Sequence, residues 1–197
     1  MRRFAQLFGS FALATALIST THVPVRAEAP PAAIAVAVSR IRIDNFGQIN
    51  PSYYRGAQPT GRDYADLAGL GIKTVIDLQK DGDPGEQALV ERAGMKFHRI
   101  PMTTRVAPSG SQLTDFLRLV NEPSSLPVYV HCAGGRHRTG VMTAVYRMEK
   151  DGWTAERAFQ EMKRYKFGMD FLHPEFKSFV YSYRPSMLEA LAISKPS

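Results

Sequence analysis

The segment HCAGGRHRTG, residues 131–140, holds the only cysteine of the 197-residue chain and gathers several side chains able to do chemistry around it. A β-branched run at residues 128–130 delivers Cys132 to a turn carrying Gly134 and Gly135, and helical spacing begins at Thr139. In a strand–turn–helix of that kind the backbone N–H groups of residues 133–138 can converge on one point, and the helix dipole adds its positive end there. Such a cradle suits an anion with several equatorial oxygens. Gly134 and Gly135 keep side chains clear of that anion in a tight turn.

Arg138 follows Cys132 by six residues, and its planar fork can hold two phosphoryl oxygens at once. The field that binds phosphate also favours the thiolate form of the cysteine. The Thr139 hydroxyl can donate to the sulfur, and His131 is expected to orient the loop through its ring nitrogens rather than act as a base. Arg136 and His137 place further positive charge at the rim, with loop buttressing the simpler role for His137. The chemistry implied is in-line attack by sulfur on phosphorus, a phosphocysteine intermediate and its hydrolysis. Ala133, Gly134, Gly135, Arg136, His137 and Arg138 are therefore the expected phosphate-binding residues.

The elements that must position this loop follow from periodicity. Residues 41–43 alternate as a short strand, and 53–55 as another. Thr60 reads as the N-cap of a helix carrying Tyr64, Leu67 and Leu70. Residues 73–78 form a buried strand, 81–85 a loop, 86–93 a helix and 96–100 a strand. Ser109 or Ser111 starts a helix whose apolar face holds Leu113, Phe116, Leu117 and Val120. After the strand at 128–130 come helices at 139–148, 154–164, 174–183 and 186–193. Strands alternating with helices predict an α/β fold with a central, mostly parallel sheet flanked by helices.

Composition sets the frame. With 44% hydrophobic and 22% charged residues, the chain is neither disordered nor a multi-span membrane protein. A single cysteine excludes an intramolecular disulfide and zinc sites built on several cysteines. His98 and His173 show no ligand pairing, so neither a metal nor a cofactor is expected. Residues 1–27 read as a secretory signal peptide, with Arg2 and Arg3, a short apolar stretch, and Val25 and Ala27 flanking Arg26 before the cut. Its removal predicts an exported, periplasmic or secreted protein with no stable membrane anchor. It leaves 170 residues and lowers the net charge from +7 to +4, a weak basis for nucleic-acid binding. Residues 28–39 read as a linker, 40–185 as the catalytic domain and 186–197 as a helix or tail.

The cysteine–arginine loop resembles that of the cysteine-dependent protein tyrosine phosphatase superfamily. GRHRTG is similar to the loop of its atypical dual-specificity members in plants, fungi and bacteria. YRGAQP at residues 54–59, the strand ending Ile76-Asp77-Leu78, Ile100-Pro101-Met102, and Gly152-Trp153 with the helix to Met162 extend the likeness over most of residues 41–183. The resemblance implies a protein-tyrosine-phosphatase-like fold, Cys132 as nucleophile, and phosphorylated substrates: phosphoproteins, or inositol polyphosphates and pyrophosphates. Members commonly carry an aspartate general acid on the loop after the strand matching 96–100. Here residues 101–108 (PMTTRVAP) contain no carboxylate. Asp115, Asp81 and Asp83 are the candidate substitutes; otherwise the leaving group must depart with little help. A phosphate-binding module with little catalysis is one alternative, and thiol redox or sulfur transfer at Cys132 is another. Arg55 either reaches the site or pairs with an acid in the sheet, the second being simpler. Trp153, Phe159 and Met162 read as core.

Overall fold

In the computed structural model, which describes residues 38–185, five strands form one sheet in the order β1-β2-β5-β3-β4. They are β1 (Gly47–Asn50), β2 (Tyr53–Ala57), β3 (Thr74–Gln79), β4 (Lys96–Met102) and β5 (Val128–Cys132). β1 pairs antiparallel with β2, and the other neighbours run parallel. Every residue of β3 and of β5 is buried, which is why both read as continuous apolar runs rather than as alternation.

Helix α1 (Asp63–Gly69) carries the chain from β2 to β3, leaving between them the position that β5 later fills. Helix α2 (Glu86–Arg92) joins β3 to β4, and α3 (Gly110–Asn121) leads from β4 towards β5. Helices α4 (Arg138–Lys150), α5 (Ala155–Arg164) and α6 (Pro174–Ser182) follow. Ala57 lies beside Cys132 and Asp77 beside His131, so the carboxyl ends of the parallel strands share one edge. The chain order reverses around β5, and that edge is where open α/β sheets form their binding crevice.

Alternation along β5 divides the core. Val128, Val130 and Cys132 face one apolar layer with Phe116, Leu117, Val141, Met142, Phe159 and Met162, while Tyr129 faces a second with Tyr54, Tyr64, Leu67, Val75 and Val90. Ser109 rather than Ser111 starts α3, through a capping box: its Oγ accepts from the Gln112 N–H (3.3 Å) and its own N–H donates to Gln112 Oε1 (2.8 Å). Thr154 caps α5 in the same manner through the Arg157 N–H. Trp153 is partly buried, with Arg147 and Arg157 over its ring at 4.3 and 3.9 Å. No helix among the described residues is long and apolar enough to cross a membrane.

Three expectations are corrected here, and others fall on residues outside those described. Residues 41–43 join no sheet, because Ile43 buries into the second layer and the chain turns at Asn45, whose φ is +57°. The first strand is instead β1, which lacks any alternation and is defined by its pairing to β2. Thr60 does not cap α1, since Gly61 adopts φ +47° and delays the helix to Asp63. Asp63 Oδ2 accepts from the Thr60 N–H at 2.8 Å instead. Residues 38 and 39, the end of the expected linker, form a helical turn with residue 40, and Val38 packs on the second layer. Residues 1–37, which hold the expected signal peptide and most of the linker, and residues 186–197 lie outside the described residues.

Phe116 is fully buried, and its ring meets Tyr53 edge-on at 6.4 Å between centroids. Phe116→Ala is expected to cost about 3–5 kcal/mol, read from the denaturant midpoint. A change below about 1 kcal/mol would show that this layer repacks freely.

Candidate active site

Cys132 ends β5 and is buried. The five residues after it form a loop before Arg138 opens α4. The amide N–H groups of residues 133–137 donate to no protein acceptor among the described residues. Unpaired backbone donors beside a buried sulfur are the groups an anion would satisfy.

The loop keeps its shape through its outer side. Gly135 has φ +62°, and a Cβ there would lie 2.4 Å from the Gly56 carbonyl group of β2. Gly56 is constrained in turn: its own Cβ would meet the Tyr129 hydroxyl at 2.3 Å. Gly134 is not constrained this way, because a Cβ there meets only Arg136 side-chain atoms at 3.5 Å and beyond. The Gly135 carbonyl accepts from Asn45 Nδ2 at 2.7 Å and from a guanidinium nitrogen of Arg55. The Ala133 carbonyl accepts from the Gln58 N–H at 3.2 Å.

Arg55 therefore serves the loop from behind and, among the described residues, pairs with no acid, contrary to the simpler expectation. It is fully buried with its guanidinium 4.0 Å from the Tyr165 ring centre, and its Nε and one terminal nitrogen have no hydrogen-bond partner among the described residues. Burial pulls this guanidinium below its ordinary value, against the opposing influence of Tyr53, Tyr165, Glu161 and Cys132. Asn45 and Arg55 are the loop's main outer supports. The sequence marks Asn45 only as a turn residue tolerant of positive φ.

Arg138 is buried on α4, with one terminal nitrogen donating to the Met102 carbonyl (3.1 Å) and to Asp81 Oδ1 (3.3 Å). It lines a cavity of about 340 Å³ with Lys80, Asp81, Thr103 and Thr104. A larger hollow of about 680 Å³, lined by residues 38, 41–46 and 164–166, contains none of residues 131–139. Thr139 Oγ1 is buried and makes no hydrogen bond among the described residues, so the expected donation to sulfur is not made.

His131 faces away from the loop, because strand alternation turns it to the face opposite Cys132. Its Nε2 lies 2.9 Å from Glu86 Oε1 and its Nδ1 3.9 Å from Asp77 Oδ1, rather than against loop backbone. Asp77, Glu86 and His131 each offer a ligand atom within 4.8 Å of the others, a grouping that residue spacing did not suggest. Arg99 already supplies positive charge there: its Nε is 2.7 Å from Asp77 Oδ2.

Of the rim residues, Arg136 pairs with Asp44 at 3.7 Å. His137 is half-buried, its Nε2 3.0 Å from the Phe167 carbonyl and its ring 3.7 Å from that of His173. Burial, then His173, pull His137 below the usual histidine value.

The three candidate acids separate. Asp115 is exposed on the outer face of α3 and lines no cavity with Arg138. Asp83 caps its own turn, accepting from the Gly85 N–H at 2.8 Å. Asp81 reaches the pocket. A hydrogen bond from its own backbone, then Arg138, lower its carboxyl below the usual value.

A buried thiol, a following loop of unpaired amides and a buried arginine thus lie together at the carboxyl edge of a parallel sheet. The chain matches, over residues 42–176, the family described as DSP-PTPase phosphatase fused to NAD+ kinase, and it belongs to that family. It is 32% identical over 124 residues to the dual specificity protein phosphatase TpbA of Pseudomonas aeruginosa UCBPP-PA14, covering 63% of this chain and 56% of that protein. The chain thus spans little more than half the length of that relative. It is 26% identical over 130 residues to the inositol diphosphatase SIW14 of Saccharomyces cerevisiae, covering 63% of this chain and 46% of that one. Among solved structures, P. aeruginosa TpbA superposes with a TM-score of 0.64 at 27% identity, over 77% of this chain and 92% of that one. The SIW14 catalytic core with citrate gives 0.65 at 24%, over the same shares, a likeness of fold.

Arg55→Met removes a buried charge with little change of volume, so stability should hold or rise. Loss of the charged hydrogen bond to Gly135 should lower kcat/KM for an aryl phosphate by about 10- to 100-fold. Unchanged kinetics at unchanged Tm would show that Arg55 does not hold the loop.

Proposed function

We propose that the protein hydrolyses phosphate monoesters, phosphotyrosine foremost, through a phosphocysteine on Cys132. The unpaired amides of residues 133–137 around that buried sulfur carry this reading. They would hold three phosphoryl oxygens while Arg138 bridges two, placing phosphorus in line with the sulfur. The S–P bond forms as the ester P–O bond breaks. Water then attacks phosphorus, releasing inorganic phosphate and the thiolate.

Asp81 is the carboxyl group placed to protonate the departing oxygen. At rest it pairs with Arg138 at 3.3 Å. A phosphate dianion that takes Arg138 withdraws this partner and adds negative charge, and both effects favour the protonated acid. An aryl leaving group needs this help least, consistent with the absence of carboxylates from residues 101–108. The relative TpbA has also been solved, with a cysteine-to-serine substitution, in complex with phosphotyrosine. Inositol pyrophosphates are a second reading, favoured by the described diphosphatase relative SIW14 and by their good leaving group. The pattern of residues 1–27 supports export to the periplasm or beyond.

Cys132→Ser should abolish hydrolysis of p-nitrophenyl phosphate while the fold is retained by circular dichroism. Turnover equal to the parent would reject a cysteine mechanism. Asp81→Asn should slow phenyl phosphate about 10²-fold and p-nitrophenyl phosphate much less, since general-acid help scales with leaving-group need. Equal effects on the two esters would remove Asp81 from the acid role.

A further inference from the structure

The cavity of about 340 Å³ lined by Lys80, Asp81, Thr103, Thr104 and Arg138 includes none of residues 133–137, whose amides are unpaired after the buried sulfur. Arg138 thus ends that loop on one side and walls a separate chamber on the other, and the chamber's volume lies within the range of small-ligand pockets. Its wall is built from two strand ends. Lys80 follows β3 directly, and Thr103 and Thr104 follow β4. The Met102 carbonyl accepts from the Lys80 N–H and from an Arg138 guanidinium nitrogen, each at 3.1 Å, so those two nitrogens lie no further apart than twice that distance.

The lining holds more donors than the protein uses. Among the described residues the Lys80 ammonium makes no ion pair and no hydrogen bond, and the Thr103 and Thr104 hydroxyls make no hydrogen bond. Arg138 Nε is buried and also lacks a hydrogen-bond partner there. An ammonium carries three donors on a flexible stem, and each hydroxyl adds one. A transferred phosphoryl group held by the amides of residues 133–137 and by Arg138 leaves the Lys80 and threonine donors free. The one acid of the lining, Asp81, is held by Arg138 at 3.3 Å. The loop after β4 opposes no anion, since Arg105 is the only charged residue among residues 101–108.

We propose that this chamber is a second anion subsite, in which the Lys80 ammonium and the Thr103 and Thr104 hydroxyls hold a phosphoryl group other than the one transferred to Cys132. The inference rests on the phosphate site proposed above and deepens it. A ligand with two phosphoryl groups a few ångströms apart fills both places at once, so its second contact forms at high effective concentration. A free phosphate ion carries the same chemistry and is the other source. An anion beside Asp81 favours its protonated carboxyl, so the acid does not oppose this occupancy.

The test uses methylphosphonate, methylenediphosphonate and ethylene-1,2-diphosphonate, whose P–C bonds survive phosphate-ester hydrolysis. Each is measured on the full chain as an inhibitor of p-nitrophenyl phosphate hydrolysis and directly by calorimetry at fixed ionic strength. At least one diphosphonate should bind the parent about ten-fold or more tighter than methylphosphonate. Lys80→Gln should remove about ten-fold of that gain, as one charge-assisted hydrogen bond predicts. Lys80→Arg should restore most of it, and Lys73→Gln, an equal change of charge at the opposite end of β3, should keep it. Inorganic phosphate separates the sources. A second equivalent bound by the parent and lost in Lys80→Gln assigns the subsite to free phosphate, and a single equivalent beside the diphosphonate gain assigns it to a second phosphoryl group on one molecule. A parent with neither the gain nor a second equivalent would overturn the inference, as would a gain that survives Lys80→Gln or is lost equally in Lys73→Gln. Those results with p-nitrophenyl phosphate still hydrolysed reject the subsite alone. A protein that turns over no ester rejects the hydrolysis reading, and the calorimetric comparison then decides the subsite by itself.

Discussion

The close approach of Gly135 to Gly56 is the contact on which the site depends. Two backbones meet where neither can carry a Cβ, and the Gly135 carbonyl is drawn outward to Asn45 and Arg55. With its carbonyls gripped from outside, the loop is left with its amides unpaired. A loop anchored on one side and unsatisfied on the other is preorganised for an anion, with little reorganisation left for the moment of binding. The sheet makes this possible by placing Ala57 of β2 in register with Cys132 of β5.

Charge is arranged around the loop in layers. Arg55 lies behind it in full burial, Arg138 within the pocket, and Arg136 outside, 3.7 Å from an Asp44 that Lys166 also holds. Only the middle one both lines the cavity and holds a carboxylate that substrate could displace. Asp81 is thus tied to the one arginine that lines the cavity. The histidines differ similarly. His131 lies beside Glu86 on the far face of the sheet, while His137 joins the loop after Cys132 to the segment before α6.

Much of this was legible in the chain because the signals were local. The buried strand, the glycine turn and the helix start around Cys132 lie within about a dozen consecutive residues, and period and turn chemistry suffice to read them. The strand β1 was not legible, since its half-buried residues follow no alternation and its existence rests on β2. The role of Arg55 was misread for a related reason. A charged residue in a strand most often meets an acid, and nothing near it in sequence announces a carbonyl 80 residues away. That Asp81, rather than Asp83 or Asp115, lies beside Arg138 likewise rests on a long-range contact, across 57 residues of chain.

The most direct test of the central claim is rapid acid quench of the protein during turnover of an aryl phosphate, followed by mass spectrometry of the peptide spanning Cys132. The account predicts one phosphoryl group, carried by Cys132 and absent in Cys132→Ser. Steady turnover with no phosphoryl group on that peptide, or with one mapped to His131 or His137, would contradict it.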